Sequence, residues 1–148
     1  MYKRILIATD GSELANKAVS HGIALAKVDK APVSVVIVTD IWSPFGMAHD
    51  YDRGKTNPIA NYEIQAAAAA KRILDIAGEA AKAQGVDCTP IHVPDKHPAE
   101  GIVETAKRID ADLIVMASHG RRGVNRLLLG SQANEVVTHS KVPVLIVR

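Results

Sequence analysis

The segment Ile114-Val115-Met116-Ala117-Ser118-His119-Gly120-Arg121-Arg122-Gly123-Val124-Asn125-Arg126-Leu127-Leu128-Leu129-Gly130-Ser131 concentrates the residues best suited to hold an anion. An apolar run long enough for one buried strand ends in a loop rich in glycine and arginine. Order resumes at Gly130-Ser131, a glycine followed by a residue favoured as a helix N-cap. Glycines let backbone N–H groups approach a ligand closely, and the start of a helix leaves several N–H groups without partners. Such a loop suits phosphate, and Arg121 and Arg122 add donors matched to its oxygens. The same pattern also describes an ordinary strand-to-helix connection with a solvated basic patch, and spacing alone leaves both open.

Asp10 is the one well-placed carboxylate, at the end of the apolar run Ile5–Ala8. It is placed either to accept hydrogen bonds from ribose hydroxyls or to cap the helix begun by Gly11-Ser12, and the two roles are compatible. Other constellations fail on context. Gly54-Lys55-Thr56 resembles the tail of a phosphate-binding P-loop, but the motif's first glycine would fall on His49 and no strand precedes it. Gly120-Arg121-Arg122-Gly123 has the spacing of a KH-domain loop, yet follows a strand where that loop joins two helices. No GxGxxG follows the first apolar run, which argues against a dinucleotide site, and no G-x-S-x-G elbow supplies a hydrolase nucleophile. His21, His49, His92, His97, His119 and His139 lack metal-ligand spacing, and the His49/Asp50/Asp52 group reads as a polar loop. No residue is assigned as catalytic or as a metal ligand.

These loops must be positioned by strands. Apolar runs at Ile5–Ala8, Val33–Val38, Val86–Val93, Leu113–Ala117 and Val142–Val147 are rich in β-branched residues and mostly continuous, as strands covered on both faces are. Helical period fills the gaps. Ala15, Ala18, Val19, Gly22 and Ala26 share one face. Tyr62, Ala66, Ala70, Ile73, Ala77 and Ala80 share another, in a helix with Asn57 as N-cap, Pro58 at its first position and Gly85 after its end. A third helix opens at Pro98 with Ile102, Val103, Ala106 and Ile109, and a fourth starts at Ser131 and buries Ala133, Val136 and Val137. The order β-α-β-α-β-α-β-α-β predicts an α/β fold: one doubly wound, five-stranded parallel sheet with helices on both faces. Ligands of such sheets sit beyond the strands' carboxyl ends, where the Asp10 loop and the Ser118–Ser131 loop both lie. The irregular stretch 41–57 reads equally as a functional lid or a surface loop.

The chain has 148 residues, enough for one domain over 1–148 that buries roughly 70% of its unfolded surface. At 47% hydrophobic and 23% charged it reads as globular, and with only 3% aromatics the core must be aliphatic. A formal net charge of +2 gives no reason to expect nucleic acid or a membrane as partner. Cys88 is the only cysteine, which excludes an intramolecular disulfide. No signal-peptide core or run of ~20 apolar residues occurs, so the expected location is the cytoplasm.

With these residues in view, the chain resembles the universal stress proteins from end to end. The opening Ile5-Leu6-Ile7-Ala8-Thr9-Asp10-Gly11-Ser12 is similar to the family's first strand and turn, and Ala111-Asp112-Leu113-Ile114-Val115-Met116 to its fourth strand. The loop is similar to its nucleotide signature, which maps onto Ala117, Gly120, Gly130 and Ser131, with Lys141-Val142-Pro143-Val144-Leu145-Ile146-Val147 as the closing strand. Ala117 replaces a signature glycine, and the segment 92–98 lacks a glycine that members often carry there. The resemblance implies a Rossmann-like fold of the adenine nucleotide α-hydrolase type and the ATP-binding branch, with ATP and Mg²⁺ as ligand. It implies Asp10 at the nucleoside, with Ala8 and Thr9 beside it, and main chain at Val38 at adenine. Phosphates fall to backbone at Ser118, His119 and Gly120, then Gly130, Ser131 and Gln132, with Met116, Ala117, Arg121, Arg122, Gly123 and Ala133 completing the site. It also implies a homodimer through the final strand. The expected function is an ATP-binding stress-response regulator, its protein partner unnamed. A slow ATPase or self-phosphorylating kinase, and a ligand-free interaction module, are the alternatives. The loop offers arginines, a histidine and hydroxyls but no carboxylate sure to face a terminal phosphate, so the residues favour binding over turnover.

Overall fold

The central strands are apolar at every position but Ser34 because helices cover both of their faces. The computed structural model of the chain describes residues 1–40, 58–121 and 128–148. Its elements are β1 (Ile5–Ala8), α1 (Glu13–Asp29), β2 (Val33–Val38), α2 (Pro58–Ala83), β3 (Cys88–Val93), α3 (Pro98–Arg108), β4 (Leu113–Ala117), α4 (Ser131–His139) and β5 (Val144–Val147). All pairings are parallel, in a five-stranded sheet of order β3-β2-β1-β4-β5. The alternation of side chains along each strand splits the core in two. Ile5, Ile7, Val33, Val35, Leu113 and Val115 pack under α1 and α2; Leu6, Val36, Ile114 and Met116 pack under α3 and α4. The doubly wound α/β sheet expected from the periodicity is the one observed, and the strand order reverses between β1 and β4. Among the described residues no helix is long and apolar enough to cross a membrane.

Local chemistry accounts for the element ends. Ser12 caps α1, its Oγ accepting the Ala15 N–H at 3.2 Å. β3 begins at Cys88 rather than Val86, because the Val86 N–H closes the end of α2 by donating to the Ala81 carbonyl. β5 begins at Val144 rather than Val142: the Val142 N–H donates to Ser140 Oγ and Pro143 has no N–H. The buried stripe of α2 is Ala70, Leu74, Ala77 and Ala81, not the one ending at Ala80, which is exposed. A leucine buries far more apolar area than an alanine, so the helix turns to seat Leu74. On α4, Ala133 and Val136 are buried while Val137 is 46% exposed, a second departure from the sequence reading. The N-cap assigned to Asn57 and the stretch 41–57 lie outside the described residues.

The two edges of the sheet differ. In β3 the register turns the backbone groups of Cys88, Pro90 and His92 outward, and Pro90 has no N–H to offer. In β5 the outward groups belong to Val144 and Ile146, and both keep donor and acceptor. Burial pushes the thiol of the half-buried Cys88 up, which keeps it protonated.

At the sheet edge away from the loops, Asp112 joins the starts of β1 and β4. Its carboxylate accepts the N–H groups of Lys3 at 2.8 Å and Arg4 at 3.0 Å. Desolvation opposes its ionisation, but the backbone donors of Lys3, Arg4 and Asp112 itself, with the charge of Lys3, together outweigh it and hold the carboxyl below the usual range. The stabilisation is therefore complete above the unfolded carboxyl's pKa of about 3.9 and is lost as pH falls through the lower folded value. Asp112→Ala is expected to cost on the order of 1 kcal/mol at pH 7. In urea unfolding, the gap between variant and parent should narrow as pH falls from about 5 toward 2.

Candidate functional site

The turn after β1 is built by its own side chains. Thr9 Oγ1 accepts the Gly11 N–H at 3.1 Å, and Asp10 Oδ1 accepts the Ser12 N–H at 2.9 Å. The helix cap is thus Ser12, and Asp10 shapes the turn that presents it. The other oxygen, Asp10 Oδ2, reaches the second loop and accepts the Arg121 N–H at 2.8 Å. Gly120 stands beside this contact: a Cβ there would lie 2.8 Å from Asp10 Oδ2, so the neighbouring peptide could not come so close.

The loop after β4 starts from a paired strand. Ala117 pairs with Val147 as extended backbone and buries its methyl group among residues under α1 and α2, so alanine costs nothing where a signature glycine was expected. The Ser118 N–H donates to the Val147 carbonyl at 2.8 Å, and the Ser118 carbonyl accepts the Gly130 N–H at 2.9 Å. Ser118 and Gly130, both assigned to phosphate by resemblance, therefore have their N–H groups engaged within the protein. Ser118 Oγ lies 3.1 Å from His119 Nδ1. Gly130, not Ser131, is the N-cap of α4, and no side chain caps that end. The first-turn donors of Ser131, Gln132 and Ala133 accordingly have no side-chain acceptor, and among the described residues the N–H groups of His119 and Gly120 have none either.

At the far end of the same opening, the β1–β2 ladder stops at Ala8↔Val36, with a last bond from the Thr9 N–H to the Val36 carbonyl at 3.0 Å. Val38 is the next residue facing that side, so its N–H and C=O point past the end of β1 into open space. A cleft of ≈ 990 Å³ joins these ends across the reversal of strand order. It is lined by Ala8, Thr9, Asp10 and Val38, by Met116, Ala117, Ser118, His119, Gly120 and Arg121, and by Gly130, Ser131, Gln132 and Ala133. Every assigned residue that is described lies on this lining; Arg122 and Gly123 lie outside the described residues.

The sequence reading missed two walls. Ala66, Ala69, Ala70 and Ile73 of α2 line one side, and His97 and Pro98 at the start of α3 line another. The second carried a signal, a helix opened by proline beyond a strand's carboxyl end, that was read only as structure. The first carried none, since an alanine run marks a helix and not its neighbour. Among the described residues no group of His, Cys, Asp and Glu is placed to hold a metal ion.

A Cβ on Gly130 would stand 2.8 Å from the Ser118 carbonyl oxygen and 3.4 Å from His119 Cα, both backbone atoms that cannot rotate away. Gly130→Ala is expected to lower stability by about 1–3 kcal/mol, read as a fall in thermal midpoint. A variant as stable as the parent would show that this approach is not needed.

The family model of the universal stress protein family matches residues 1–148. A universal stress protein of Methanocaldococcus jannaschii is 37% identical over 151 aligned positions, covering 100% of this chain and 83% of the relative. Among solved structures, a hypothetical protein whose biochemical function was assigned from its structure superposes with a TM-score of 0.80 at 28% identity, covering 99% of this chain and 96% of its own. A universal stress protein in complex with cAMP superposes with a TM-score of 0.71 at 27% identity, covering 99% and 97%. The end-to-end family match and the similarity to these relatives agree, and the chain belongs to the universal stress protein family.

Proposed function

We propose that this protein is a stress-response regulator that binds ATP with Mg²⁺ in the cleft between the β1 and β4 loops. The observation that carries this reading is the pairing of two complementary ends in one cleft. At one end the main chain of Val38 offers a donor and an acceptor side by side, the arrangement that adenine's amino group and ring nitrogen complement. At the other, the bare N-terminus of α4 and the His119 and Gly120 N–H groups offer donors and a positive dipole end to phosphate. Asp10 sits between, each carboxylate oxygen holding one N–H donor and keeping a lone pair for a ribose hydroxyl. Mg²⁺ would arrive on the phosphates, as is common for an ion that retains its waters and takes few protein ligands. The cAMP carried by a relative supports adenine as the base.

The site favours holding the nucleotide over turning it over. Both Asp10 oxygens accept backbone N–H bonds and their remaining lone pairs face the ribose in this reading, which leaves that carboxylate no role in orienting a water at the terminal phosphate. With saturating ATP, hydrolysis is expected on the order of one event per minute or slower, against 1–100 s⁻¹ typical of kinases. Single-turnover measurement with radiolabelled ATP decides this, and several turnovers per second would make the protein an enzyme.

Binding itself is tested by calorimetry and thermal unfolding. At a hundredfold excess over the dissociation constant, ATP should stabilise the fold by about 2.7 kcal/mol, and NAD should not. No heat and no thermal shift at millimolar ATP would remove the reading. The open β5 edge, where Val144 and Ile146 keep their backbone donors and acceptors and Leu145 is 39% exposed, supports a homodimer formed through that strand about a two-fold axis. Light scattering should return twice the chain mass, and a monomer at high concentration would oppose it.

A further inference from the structure

Gln132 is the second residue of α4, and its side chain is directed at another helix. Its Oε1 accepts the Ala99 N–H at 2.9 Å. α3 needs that acceptor: its N-cap, His97, makes no side-chain hydrogen bond and Pro98 has no N–H, so Ala99 carries the helix's first donor. Behind the bond, Ala99, Ile102 and Ala106 share a buried cluster with Ala133 and Val136 of α4. On its other side α3 presses on β2, where a Cβ at Gly101 would stand 2.7 Å from Val38 Cγ2. The first turn of α3 is thus clamped between Val38 at the base end of the cleft and Gln132 at the phosphate end.

Resting on the nucleotide reading above, we infer that Gln132 is a positioning residue: its side chain locks α3 to α4 and so fixes the distance between the base and phosphate ends. Gln132 lines the cleft and its carboxamide oxygen holds Ala99, so one residue joins the N-terminal turn of α4 to the wall carrying His97 and Pro98. A ligand that spans the cleft depends on that spacing. A ligand that touches one end does not.

The test compares the parent with Gln132→Leu, which fills similar volume without an acceptor, and Gln132→Glu, which keeps one. ATP, adenosine and inorganic tripolyphosphate are titrated by calorimetry or chemical-shift change, and Ala99 is followed by amide hydrogen exchange. Gln132→Leu is expected to speed Ala99 exchange and to weaken ATP about tenfold, leaving adenosine and tripolyphosphate within about twofold of the parent. Gln132→Glu should keep Ala99 protected. Unchanged Ala99 exchange in Gln132→Leu, or faster exchange with unchanged ATP affinity, would overturn the positioning role. So would an equal loss for tripolyphosphate, which would make Gln132 a phosphate contact. If the parent binds neither ATP nor tripolyphosphate, the nucleotide reading itself falls and takes this one with it; the other negative outcomes leave nucleotide binding standing.

Discussion

The Asp10 carboxylate bridges the two loops on which the cleft depends. Parallel strands send their connections away in opposite directions at the reversal between β1 and β4, so nothing in the sheet ladder joins the loops that follow them. Asp10 does so with one oxygen in each loop, accepting the Ser12 N–H and the Arg121 N–H. Gly120 makes the approach possible, because any side chain there would strike the same carboxylate. A charged acceptor bound to two neutral donors is stronger than an ordinary backbone bond, and it sits where a sheet would otherwise be open. The guanidinium of Arg121 follows its backbone to the same place: a Cβ at Gly11 would lie 3.1 Å from Nη2.

The elements that flank this contact were legible because their chemistry is local. β1, β2 and β4 fall on the residues read from their apolar runs, since a strand covered on both faces is apolar almost throughout, with Ser34 the single polar position in these three. α1 shows its buried stripe for the same reason, although its N-cap is Ser12 and not Asp10. Legibility fails where a distant group decides. The limits of β3 and β5 depend on hydrogen bonds from Val86 and Val142 to partners outside the strands. Lys30 takes a left-handed backbone angle that nothing in its side chain announces. In the site, residue types pointed to the loops, but which N–H groups stay free is decided by pairing. Ser118 and Gly130 looked like donors to a ligand and bond within the protein instead.

The scarcity of aromatic residues has a counterpart in the cleft. Apart from the imidazoles of His97 and His119, its lining among the described residues contains no aromatic ring. A flat base would meet methyl groups of Ala66, Ala69 and Ala70 and the strand-end backbone, not a stacking partner. Small side chains on a helix leave space without leaving a void in the core, because the layer beneath is filled by Leu74 and Ala77. The alanine run in α2 thus serves helix formation and cleft width together.

Pro90 bears on how many copies of this chain can join. A sheet with two receptive edges is a unit of a polymer: each added copy offers a fresh edge to the next. With one edge blunted by a residue that has no N–H, growth by strand addition ends as soon as the two receptive edges meet. Any strand-to-strand association of this protein would thereby be self-limiting, a property of stoichiometry encoded by a ring in place of a hydrogen.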